Sequence, residues 1–175
     1  VVVTATDSAT PAGSVSDTYV LTVTNTNDAP TVATVIADAS TTEDALYSVD
    51  ISGNFADVDV GDTLTYAATG MPSTMSMSSA GVLSGTPLNA DVGTHNVVVT
   101  ATDSATPAGS VSDTFVVTVT NTNDAPTVAT VIADASTAED ALYSVDISAN
   151  FADVDANDVL TYTATGMNSV FTMST

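Results

Sequence analysis

Lysine and arginine are absent from this chain of 175 residues, which carries 21 Asp and Glu and a single His. Every charged side chain at neutral pH is therefore negative, and no side-chain cation is available to neutralise it. Nucleic-acid binding draws most of its affinity from Lys and Arg on phosphates, so the composition excludes a nucleic-acid partner. Cysteine is also absent, which removes disulfides, thiolate metal sites and a cysteine nucleophile. Without Lys there is no Lys–Asn isopeptide staple either, so any cross-brace has to be a bound ion. No apolar run approaches the roughly 18 residues of a membrane span, and no charged start with an apolar core marks a signal peptide. Membrane insertion of this segment is not expected. The chain opens on Val1 rather than Met and reads as an interior piece of something longer, with export to be inferred from its chemistry.

What is present argues for a folded protein. Extreme acidity accompanies disorder only when hydrophobicity is low, and here 44% of residues are hydrophobic. A compact fold holding 21 like charges repels itself, and salt screens only beyond about 8 Å at physiological ionic strength. Carboxylates closer than that call for bound cations. Calcium suits the available donors, because it takes six to eight oxygens from carboxylates, amides and backbone carbonyls.

Residues 1 to 79 recur at 97 to 175, with 66 of the 79 positions identical. The chain is a tandem array with a period of 96 residues. The two NTNDAP strings, Asn25 to Pro30 and Asn121 to Pro126, bound one complete unit at 31–126, preceded by a partial unit at 1–30 and followed by another at 127–175. Period-two alternation, as in Tyr47, Val49 and Ile51 interleaved with Ser48, Asp50 and Ser52, predicts strands near 31–37, 45–52, 63–69, 74–77, 81–84, 94–102 and 112–121. Turn residues separate them, at Gly61-Asp62, Gly70 to Ser73, Gly85 to Pro87 and along Asp103 to Asp113. The expected class is all-β: tandem seven-stranded Greek-key sandwiches of immunoglobulin or cadherin type.

Acidic clusters recur with the unit. In FADVDVGD, Asp57 and Asp59 stand two apart in a segment expected to be extended, and so project to one side; Asp62 follows Gly61 and either joins them or caps a turn. Two carboxylates so close are unfavourable without a cation and become strong ligands with one. Asp153, Asp155 and Asp158 repeat the cluster. Asn27 and Asp28 lie just before Pro30, which fixes a non-helical joint where one unit ends, and Asn123 and Asp124 repeat that arrangement. Asp103 closes a long apolar strand, where binding residues are commonly placed.

The NDAP linker, the Asp-x-Asp after Phe55, the ATD strand end and Glu43 in TTEDA together resemble the calcium positions of cadherin repeats. The FADVD, GDTLTY, GMPSTMSMSSAGVLSGTP and NADVGTHNVVVTATD strings are most similar to bacterial dystroglycan-type cadherin-like domains, and that similarity runs through the whole chain. The resemblance implies that Asn27 and Asp28 act with Asp57, Asp59 and Asp103 at one joint, and Asn123 and Asp124 with Asp153 and Asp155 at the next. It implies that Glu43 looks to the following joint, toward Asn123 and Asp124, and that Glu139 faces a joint beyond the chain. The Asp-Arg-Glu motif of animal cadherins has no match, so one or two calcium ions per joint are expected rather than three.

Enzymatic activity is not expected. The only His is His95, expected on the surface of a strand, and carboxylate-pair glycosidases use aromatic-lined clefts that a chain with no Trp and 5% aromatics does not supply. An ice- or sugar-binding role for the alternating Thr strings is a weaker alternative, since a twisted sandwich face is not flat. The expected role is a calcium-stiffened extracellular array in a bacterial adhesin or surface protein, with neighbouring repeats as partners. A self-associating filament subunit, or one meeting cell-surface or matrix ligands, is the alternative within the same class.

Overall fold

In a computed structural model, residues 1–156, 158–167 and 172 are described. They form thirteen strand segments: β1 (Val2–Thr6), β2 (Ser14–Thr18), β3 (Thr31–Val32), β4 (Ala39–Thr42), β5 (Tyr47–Asp50), β6 (Phe55–Ala56), β7 (Thr65–Thr69), β8 (Met75–Met77), β9 (Val82–Gly85), β10 (Gly93–Thr102), β11 (Ser110–Thr120), β12 (Thr127–Val128) and β13 (Phe151–Ala152). Three single turns of 3-10 helix are the only helical elements among the described residues, and none is long enough to cross a membrane.

Strands β3 to β11 build a β-sandwich. One sheet runs β4-β11-β10-β7 and the other β5-β9-β8, with β3 and β6 forming a short separate pair. The long strands β10 and β11 form the spine, antiparallel from Gly93↔Val119 to Thr102↔Ser110. Their buried positions are Val97, Val99, Ala101, Phe115, Val117 and Val119, mostly β-branched or small residues that fit a pleated face. Val97, Val99, Ala101, Phe115 and Val117 meet Ile51, Leu83, Met75 and Phe55 from the opposite sheet and its edge. Phe55 and Tyr66 pack at 5.8 Å between ring centroids, and the Tyr66 hydroxyl donates to Ser52 O at 3.1 Å.

Of the expected strand at 31–37 only Thr31–Val32 forms, and β4, where no strand was expected, follows it. Thr31–Val32 pairs antiparallel with β6, and Ala39–Thr42 pairs parallel with β11, from Val117↔Ala39 to Thr120↔Thr42. Between them Ile36 enters the core while its N–H donates to Asp113 Oδ2 (2.7 Å), and Asp38 Oδ1 accepts the Val116 N–H (2.8 Å). Two carboxylates thus accept backbone N–H groups where the chain passes from the β3–β6 pair to the four-stranded sheet. The segment after Phe55 also departs from expectation. It is a loop rather than a strand, so alternation is not what brings its carboxylates together.

The two flanking segments repeat the same sequence without its partners. Residues 1–18 form the β1–β2 hairpin in the register of β10–β11, but Val1 and Val3 are 60% and 56% exposed where Val97 and Val99 are 0%. Past 126, β12 and β13 pair as β3 and β6 do, and Phe151 packs on Tyr162 as Phe55 does on Tyr66. No strands form at the positions that repeat β4, β5 and β7. Ile132, Tyr143, Val145, Ile147 and Tyr162, which repeat core residues, line an open groove instead.

Candidate metal centre

The first acidic cluster is built by turns. The Asp59 N–H donates to Asp57 Oδ1 (2.9 Å) and the Asp62 N–H to Asp59 O (3.3 Å), curling the loop so that Asp57, Asp59 and Asp62 each bring an oxygen within 4.8 Å of the others. Short Asp side chains that bond their own backbone two residues on are what make such a turn. Asp57 Oδ2 is buried with no hydrogen-bond partner. Asp153, Asp155 and Asp158 repeat this geometry, with Asp155 N–H to Asp153 Oδ1 at 3.0 Å.

The linker docks on this loop from the other side. Asp28 N–H donates to Asp59 Oδ2, and Asp124 N–H to Asp155 Oδ2, each at 2.7 Å. Asn27 Nδ2 donates to Asp103 Oδ2 (3.1 Å), leaving its own Oδ1 buried without a partner. Asn123 turns instead to Asp124 O (2.8 Å). The linker lies close against the Asp103 loop because residue 109 is Gly: a Cβ there would stand 2.7 Å from the Ala29 Cα.

Asp103 is beside the linker but occupied locally. Its carboxylate also accepts from Ala105 N–H (3.1 Å) and Gly109 N–H (2.9 Å). Burial pushes its carboxyl up, and the bonds from Asn27, Gly109 and Ala105 outweigh that and hold it below the usual range. Asp7 makes the same clamp to Ala9 and Gly13. Asp103 is not among the carboxylates that converge in the Asp57 cluster.

A second kind of cluster ties a repeat to the linker that ends it. Glu43, at the end of β4, is 1% exposed; its Oε1 accepts the Thr122 N–H (2.8 Å), and its Oε2 is buried with no hydrogen-bond partner. Glu43, Asp44 and Asp124 bring three carboxylate oxygens within 4.8 Å of one another. Burial raises the Asp124 carboxyl above its ordinary pKa, and the charges of Asp44, Asp155 and Asp153 raise it further. The copy of Glu43, Glu139, is exposed.

Two residues here escaped the sequence reading. Asp44 adjoins Glu43 but sits at positive φ (58°), which brings its carboxylate to the linker. Asn89, in the turn Asn89–Asp91, donates to Asp155 Oδ1 across the joint (3.0 Å). Its only sequence cue is its place in the turn before β10. His95 is half-buried rather than a surface residue, with Nε2 on Asp91 O at 2.7 Å.

Hard oxygen donors from two repeats, crowded without a basic side chain, form a set suited to a hard divalent cation such as calcium. Uncompensated, the buried Glu43 oxygen would be costly.

A family model for He_PIG, described as "Putative Ig domain", matches residues 29–120, just over half of the chain. No curated protein matches. Among solved structures, mouse cadherin-23 EC22-24 is similar at a TM-score of 0.56 and 21% identity, covering 69% of this chain and 41% of that one. The protocadherin GammaB4 extracellular domain gives 0.53 and 21%, over 71% and 22%. The protocadherin gammaB7 EC3-6 cis-dimer gives 0.50 and 24%, over 76% and 36%. This chain spans less than half the length of each, and at these identities the likeness shows a shared immunoglobulin- and cadherin-like sandwich fold.

Proposed function

The chain belongs to the He_PIG family of Ig domains, and we propose that it is a calcium-stiffened array of extracellular cadherin-like repeats serving as an adhesive or structural stalk. Its units divide at 1–30, 31–126 and 127–175, of the bacterial dystroglycan-type kind. Calcium is held at the joints by Asp57, Asp59 and Asp62 with Asn27 and Asp28, and by Asp153, Asp155 and Asp158 with Asn123, Asp124 and Glu43. Asp103 supports the linker through Asn27. The observation that carries this reading is the Glu43 Oε2, buried and unpartnered beside a carboxylate of the linker that follows.

The role is mechanical. An ion sharing ligands from both repeats and the linker fixes their relative angle, and its loss frees the joint to bend. Extracellular calcium modules have dissociation constants of about 10⁻⁴ to 10⁻³ M, which suits the millimolar calcium outside cells. At tens of fold above Kd each site adds roughly 2 kcal/mol to stability. Small-angle scattering of this chain in calcium and then in chelator tests the proposal. A maximum dimension that becomes smaller or broadly distributed on chelation is expected; an unchanged scattering curve would remove the stiffening role.

A second reading, lateral assembly into a filament, is favoured by the outer face of the four-stranded sheet. Ser40, Thr65, Thr100, Ser112, Thr114 and Thr118 lie there, and none of its strand positions is acidic. Copies of a polyanion approach most easily through such a face. Sedimentation that stays monomeric in calcium would exclude it.

A further inference from the structure

We propose that Asp44 is itself a ligand of the ion at the joint, placed there by its left-handed backbone. This rests on the calcium reading above. Consecutive residues of a strand point to opposite sides, so with Glu43 turned inward at the end of β4 an extended Asp44 would point away from it. At φ 58° the chain instead reverses, anchored by Glu43 N–H to Thr120 O (3.0 Å) and Asp44 N–H to Pro87 O (2.8 Å). Both neighbouring carboxylates then converge with Asp124.

The convergence asks for a cation for a reason independent of the acid count. Glu43 is 1% exposed, its Oε2 has no hydrogen-bond partner, and the cluster it belongs to contains no donor. Its other oxygen is already used by Thr122. Three carboxylate oxygens, two from the turn after β4 and one from the linker, make up to half of a calcium shell of six to eight, the rest being open to amide, carbonyl and water oxygens.

The next copy supplies the control. Asp140 holds the same conformation, φ 62°, so the turn belongs to the local sequence and not to the joint. Glu139 and Asp140 are exposed, and no acidic cluster forms around them among the described residues.

Asn occupies the left-handed region as readily as Asp, so Asp44→Asn removes the charge and keeps the turn. Calcium titration calorimetry and thermal melts in chelator would be run on the chain itself, Asp44→Asn, Asp44→Gly and Asp140→Asn. Expected are at least a tenfold loss of affinity at one site in both Asp44 variants, a melting temperature in chelator that is unchanged or higher, and no change in either quantity for Asp140→Asn. An Asp44→Asn isotherm that overlays the parent overturns the proposal while leaving the calcium reading intact. So does a lowered melting temperature in chelator for both variants, which would make Asp44 a structural residue. A parent chain that binds no calcium overturns both readings.

Discussion

Asp91 shows what a carboxylate does when it is structural. It is buried and accepts from Ser73 N–H (2.7 Å), Ser73 Oγ (2.8 Å), Thr74 Oγ1 (2.6 Å) and Leu88 N–H (3.2 Å), tying the turn before β10 to the start of β8. Removal from water pushes its carboxyl up, but the four bonds outweigh this and hold it at about 2. Its folded pKa is depressed, so its contribution is complete above the unfolded value near 4 and is lost as pH falls toward 2. Asp91→Asn should cost about 2–3 kcal/mol in urea unfolding at pH 7, because the amide cannot replace both acceptor oxygens. That deficit should shrink between pH 4 and pH 2 as the parent protonates. A deficit constant with pH would show that the charge is not what the four donors hold.

Asp103 and Asp44 mark what residue-level reading does not reach. A strand-end Asp uses the same short carboxylate to cap a loop or to bind an ion, and the loop-closing bonds that Asp103 accepts from Ala105 and Gly109 leave no mark in the sequence. Asp44 was hidden because its alternation places it on the wrong side, and a positive φ at a non-Gly residue leaves little mark in sequence. The Asp57, Asp59 and Asp62 cluster was legible as a convergence, although a turn brings it about rather than a strand.

At the scale of elements, β1–β2 and β10–β11 carry nearly the same residues in the same register, one hairpin bare and the other clamped between β4 and β7. Local propensity is thus held fixed while packing differs. Amide exchange should read the difference: β10–β11 protected close to the global unfolding limit, β1–β2 exchanging through local opening many-fold faster. Equal protection would mean that the hairpin is stable by itself and that the sandwich adds little. The opposite sheet reaches the spine through the core, and Phe115→Ala should cost about 3–5 kcal/mol with fluorescence-detected or circular-dichroism melts as the measure. Strands with apolar alternation, β5, β7, β10 and β11, were legible for this reason: their pattern records burial. β4, with Ala39, Ser40, Thr41 and Thr42, has almost no apolar signal, because it is held by parallel pairing to the edge of β11 rather than by the core.

At the scale of the whole molecule, the chain holds 21 acids and no Lys or Arg, and calcium and simple salt should act on that charge in separable ways. Sodium chloride screens diffuse repulsion: the Debye length falls from about 8 Å at 0.15 M to about 3 Å at 1 M. It leaves largely untouched the carboxylates whose oxygens lie within 4.8 Å in the three clusters, since no counterion atmosphere fits between them. In chelator, the melting temperature should therefore rise with salt but stay below its value in millimolar calcium. In calcium the same salt series should be flat or slightly falling, because the nearest charges are already compensated and salt then weakens the ion's own attraction. Molar sodium chloride that matches millimolar calcium would reduce the clusters to ordinary surface acidity. A calcium effect that persists at high salt would localise stabilisation in the clusters, two of which, Glu43 with Asp124 and Asp155 with the Asp124 N–H, join a repeat to its linker. Substituting Asp155→Asn should then lower the melting temperature in calcium while leaving the salt response in chelator nearly unchanged, which separates loss of a ligand from loss of one charge among 21.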